Sequence, residues 1–154
     1  MKTFHIISIV VLIQAGALFP GYVRAQEKPE DIIDKFFELY EADKSDEAVD
    51  YVFATNIWME KTQEAVVKIK GQLRKAINLL GKYYGYQIIA MKNIGGCYVE
   101  YSYLMRYDRQ PIVFTFILYK PKDKWQIHNL RFEDNLDKEL EAAPNIIKIP
   151  ESKE

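Results

Sequence analysis

The stretch KWQIHNLRF, residues 124–132, places an imidazole at His128, an amide at Asn129 and a guanidinium at Arg131 within four consecutive positions. A histidine works as a general acid or base only when its proton partner lies within about 3 Å. An arginine in an apolar setting keeps its proton and must find an anion or water there. Other chemistry-bearing residues are sparse. His5 and His128 are the two histidines, and Cys97 beside Gly95-Gly96 is the single cysteine, so it has no partner for an internal disulfide. One histidine and one cysteine do not make a zinc site. The acidic cluster Glu133-Asp134-Asn135-Asp137 lacks the central glycine of a calcium loop and reads as acids at a helix start. Neither a serine elbow nor a phosphate loop is present. These observations assign no catalytic residue, no metal and no cofactor.

The N-terminus, MKTFHIISIVVLIQAGALF, carries one lysine before a mostly apolar run, then Pro20-Gly21 and Val23-Arg24-Ala25. That is the pattern of a secretory signal peptide cut after a small residue, here Ala25. The run falls short of the roughly 20 clean apolar residues that a span needs. An exported protein, periplasmic or extracellular, with no membrane span after cleavage is therefore expected. Cleavage leaves 129 of the 154 residues, enough for one domain. Losing Lys2 and Arg24 leaves 19 basic against 22 acidic side chains, a net charge of −3. Nucleic-acid binding would call for a basic stripe, and none is visible.

Helical spacing of apolar residues accounts for the first half of the domain. Pro29, followed by Glu30 and Asp31, suits a first helical turn, and Ile32, Ile33, Phe36, Phe37 and Tyr40 recur on one side. A second helix is expected from Ser45, burying Val49, Val52 and Phe53. A third is expected over about 62–80, with Val66, Ile69, Leu73, Ala76, Ile77 and Leu80 on one stripe and Gly81 as its stop. After Gly81 the period changes to two. Strands at about 83–94, 97–107, 111–121 and 124–133 are expected to form an antiparallel meander with short turns at Gly95-Gly96, Asp108-Arg109 and Lys122-Asp123. The tail 143–154, with Pro144 and Pro150, reads as an extended end.

Uninterrupted two-residue hairpins would put Tyr101 beside Ala90, Phe116 and Asn129, and Tyr103 beside Ile88, Phe114 and Arg131, on the helix-covered face. Tyr101, Tyr103, Asn129 and Arg131 are accordingly the candidate ligand-binding residues. The alternatives for Arg131 are an internal pair with a helix carboxylate such as Asp34 or Glu38, or snorkelling to the mouth of the pocket. The opposite face would carry Tyr98, Leu104, Tyr119, His128 and Leu130, a mixed surface suited to an interface. There His128 stands about 10 Å from Glu100 at two strand spacings, too far for a proton-transfer pair.

Three helices followed by a meander ending in YDRQPIVFTFILYKPKDKWQIHNLRFEDNLDKEL resembles the nuclear-transport-factor-two-like superfamily, the cystatin-like α+β cone, and in particular its small exported bacterial members. The resemblance covers residues 29–142. It implies a curved sheet and helices enclosing a pocket, and often a homodimer through the outer sheet face. The superfold hosts enzymes and binders alike, so it leaves function open. Family enzymes place an acidic base and hydrogen-bond donors in the pocket, and that pattern is not matched here residue by residue. The expectation is an exported non-enzymatic module that binds a small ligand or a partner. The alternative is a lyase or isomerase acting on a small hydrophobic or carboxylate-bearing substrate.

Overall fold

The computed structural model describes residues 28–142, so the leader and the tail expected from the sequence lie outside the described residues. Helix α1 spans Pro29–Glu41, α2 Ser45–Ala54 and α3 Gln63–Leu80, with a 3-10 turn at Ile57–Thr62 before α3. Strands β1 Tyr83–Ile94, β2 Tyr98–Tyr107, β3 Ile112–Tyr119 and β4 Gln126–Glu133 follow, and a short α4 covers Asp137–Ala142. The strands form an open antiparallel sheet in the order β1-β2-β3-β4. The class is α+β, with three helices preceding a four-stranded meander. No helix of the described residues is long and apolar enough to cross a membrane.

Pro29 opens α1 where a backbone N–H is not needed. The Asp31 carboxylate accepts the Lys28 backbone N–H at 2.8 Å. The chain leaves α1 through Asp43, which adopts a left-handed conformation at φ 61°, tolerable for a short polar side chain. Ile32, Ile33, Phe36, Phe37 and Tyr40 form the buried face of α1. Phe36 meets the ring edges of Phe114 and Phe116 at centroid distances of 5.9 and 5.0 Å. Phe37 packs on Tyr103 and stacks on Tyr86. Along α3, Val66, Leu73 and Leu80 are buried, while Ile69, Ala76 and Ile77 are half-covered. Helices and sheet therefore meet through an aromatic layer, and the openings lie at its margins.

Strands β2 and β3 pair as expected, with Tyr101 opposite Phe116 and Tyr103 opposite Phe114. The outer strands depart from uniform register. Ile117 faces Asn129 whereas Leu118 faces Ile127, so His128 is an extra residue without a partner. One inserted residue moves everything beyond it to the other face. Leu130 and Phe132, rather than Asn129 and Arg131, consequently lie opposite Phe116 and Phe114. The driving force is burial, since the bulge puts two apolar side chains inside where an amide and a guanidinium would be costly.

Strand β1 carries two irregularities of the same kind. Ile89 is unpaired between Ile88↔Tyr103 and Ala90↔Ser102, and Tyr84-Gly85 stand against Arg106 alone. Met91 rather than Ala90 then faces Tyr101. Gly85 has φ 109°, and the Arg106 guanidinium lies 3.2 Å from where a Cβ would sit. The helices cover β1 incompletely, leaving Ile88 and Met91 exposed on their own side of the sheet.

Candidate functional site: a tyrosine cleft at one end of the layers

Three chain segments converge where α1 ends, β1 begins and β2 finishes. The last turn of α1 supplies Tyr40 and Glu41, the turn into α2 supplies Asp43, and the exit of α3 supplies Ile77. The sheet row Tyr83↔Tyr107 completes the wall. Between them lies an open cleft of about 400 Å³.

Tyr40 and Tyr107 hydrogen-bond to each other through their hydroxyls. Tyr83 donates its hydroxyl to Glu41 Oε1 at 3.3 Å. The three rings are near neighbours, with Tyr83 5.7 Å from Tyr40 and 5.4 Å from Tyr107, centroid to centroid. Burial, and then the neighbouring Tyr107 hydroxyl, push the Tyr40 phenol far above its ordinary value of 10.0. Burial and the Glu41 carboxylate raise Tyr83. Burial also raises Tyr107, with the Tyr40 hydrogen bond acting in the opposite sense. All three are neutral hydroxyls near neutral pH. Lys82 at the rim holds its ammonium 5.4 Å from the Tyr84 ring. Beside it, Asp108 accepts the Tyr84 hydroxyl at 2.5 Å and the Lys82 backbone N–H at 3.1 Å. Those two bonds hold the Asp108 carboxyl below its usual range.

The arrangement offers phenol donors, carboxylate acceptors and aromatic edges. Proton transfer is efficient when the group's pKa lies near the working pH, and phenols raised this far are poorly matched to it. His128, the one described histidine, is exposed on the opposite face of the sheet. Among the described residues, no group of three or more His, Cys, Asp or Glu side chains is placed to hold a metal ion.

Of the four ligand-binding residues expected from the sequence, the structure brings two to the helix side. Tyr101 and Tyr103 are buried facing the helices. The Tyr101 hydroxyl donates to Glu30 at 2.5 Å, and burial with that bond raises its phenol. Burial and the nearby Asp34 push Tyr103 up to about 12. Asn129 and Arg131 do not join them, because the His128 bulge leaves both exposed on the outer face. Arg131 finds its anion there. Its Nη2 lies 3.5 Å from Glu100 Oε2, so the side chain crosses β3, and Glu100 also pairs with Lys92 at 2.8 Å. The partner is a strand carboxylate, not Asp34 or Glu38.

The expected interface set divides in a similar way. Tyr98, Tyr119 and His128 gather on the outer face, with Tyr98 5.6 Å from the imidazole and 6.3 Å from Tyr119 between ring centroids. Leu104 is half-buried on that face. Leu130 is a core residue at 4% exposure, for the same reason that Arg131 is outside. Sequence reasoning did not single out the tyrosine cleft. Its available signal was positional, since Tyr83 begins β1, Tyr107 ends β2 and Tyr40 lies in the last turn of α1, each within three residues of a turn residue: Gly81, Asp108 and Asp43. No family model matches the chain, and neither a curated protein nor a solved structure matches it.

Proposed function

We propose that this chain is an exported, non-enzymatic module of the nuclear-transport-factor-two-like type that binds a small organic molecule. The leader-like N-terminus supports export, and the order of three helices before a four-stranded meander supports the fold type. The observation that carries ligand binding is the convergence of Tyr40, Tyr83 and Tyr107 with Glu41 and Asp43 on one open cleft. A recess with aromatic walls and a few convergent polar groups is the ordinary form of a small-molecule site. Its acceptors are carboxylates, so the ligand it suits carries amine or hydroxyl donors on an apolar frame. The raised phenols and the engagement of Glu41 by Tyr83 favour binding over proton abstraction.

Native mass spectrometry of protein purified from its own host, followed by titration with small amines and polyols, tests the reading. One bound molecule per chain is expected. The double substitution Glu41→Gln with Tyr83→Phe should weaken it roughly 10- to 100-fold, the range for hydrogen bonds to charged groups. A native protein that carries nothing and binds none of the probes would sink the proposal.

A further inference from the structure

We infer that the end of the molecule opposite the tyrosine cleft docks on an anionic lipid surface. Three loops meet there. The Lys120 backbone N–H donates to the Cys97 carbonyl at 2.7 Å, tying the β3–β4 loop to the β1–β2 turn. Asn56 Nδ2 donates to the Ile127 carbonyl at 2.7 Å, and the Ile127 N–H donates to Thr55 Oγ1 at 2.9 Å, tying the 3-10 turn to the start of β4.

These loops hold out apolar side chains that the fold does not use. Ile57 and Trp58 are 68% and 67% exposed, and Ile94 is 69% exposed. The two consecutive residues form a fixed wedge, because the buried Asn56 side chain both anchors to β4 and accepts the Trp58 N–H at 3.0 Å. The β3–β4 loop beside them carries Lys120, Lys122 and Lys124 against the single acid Asp123, in a chain whose net charge is −1. Exposed Trp and Ile flanked by lysines is the combination that partitions into a headgroup layer while the ammoniums meet anionic lipid. The positive charge of these three lysines, set beside exposed apolar side chains, is what commits the occupant to an anionic surface.

Flotation of the exported form with phosphatidylcholine vesicles, with and without phosphatidylglycerol, tests the inference. Binding to the anionic vesicles alone is expected, together with a blue shift of Trp58 emission, since Trp125 is already buried. Lys122→Gln with Lys124→Gln should weaken binding roughly 25-fold, about fivefold per lysine at an anionic surface. Ile57→Ser with Trp58→Ser should also reduce it, with circular dichroism unchanged because both side chains are exposed. No flotation with anionic vesicles, or flotation that neither double variant alters, would overturn it. The cleft's ligand binding is independent of these variants, so the two proposals fail separately.

Discussion

Adjacent residues at the end of β4 have opposite roles. Leu130 is buried opposite Phe116, whereas Arg131 lies in the open and reaches Glu100 across β3. Truncating a buried leucine typically costs about 2–5 kcal/mol through lost transfer energy and the cavity left behind. An exposed ion pair contributes about 0–1 kcal/mol. Urea denaturation should therefore show Leu130→Ala losing about 2–5 kcal/mol and Arg131→Leu losing less than about 1 kcal/mol. The reverse ranking is what a bulge-free strand would produce, with Arg131 inside as the uninterrupted hairpin implies. The difference between the two residues was not legible in sequence. HNLRF alternates acceptably either way, and only the preference of Leu130 and Phe132 for the core over Asn129 and Arg131 argues for an inserted residue.

At the scale of elements, helix starts and strand centres were readable, because they rest on local chemistry: Pro29 and Ser45 at helix starts, Gly81 after α3, and the change of period beyond it. The β2–β3 pairing was equally readable, since no residue interrupts it. Register in the outer strands was not, because a bulge is a tertiary solution to burial and leaves no composition of its own. The candidate site suffered twice, losing Asn129 and Arg131 and missing a cleft formed where elements end. The bulge itself is testable. Deleting His128 removes the extra residue while leaving Leu118 against Ile127 and Ile117 against Asn129. The variant should stay folded, within roughly 2 kcal/mol of the parent. Deleting Thr115, which has a partner on both sides, should flip half of β3 and abolish cooperative unfolding.

Over the whole molecule, tyrosines with raised phenols flank the core at both levels of α1, with Tyr101 and Tyr103 near its start and Tyr40, Tyr83 and Tyr107 near its end. The unfolded chain releases phenolic protons near the ordinary value of 10.0, while the folded chain retains them. Their contribution is thus complete below about pH 10 and is lost as pH rises toward the folded values. Each buried tyrosine so held adds a slope of about 1.4 kcal/mol per pH unit in that window. Unfolding followed by tyrosinate absorbance should begin above about pH 10 and coincide with loss of helical signal, and Tyr40→Phe should make it less steep. The bonds from Thr55 and Asn56 to Ile127, across 72 and 71 positions of sequence, bear on the order of events during synthesis. Phe36 and Phe37 leave the ribosome long before Phe114 and Phe116 exist to receive them. An unfinished chain therefore carries the aromatic side of α1 without its sheet partner until β3 has been made, and the ties to Ile127 close only after β4 follows.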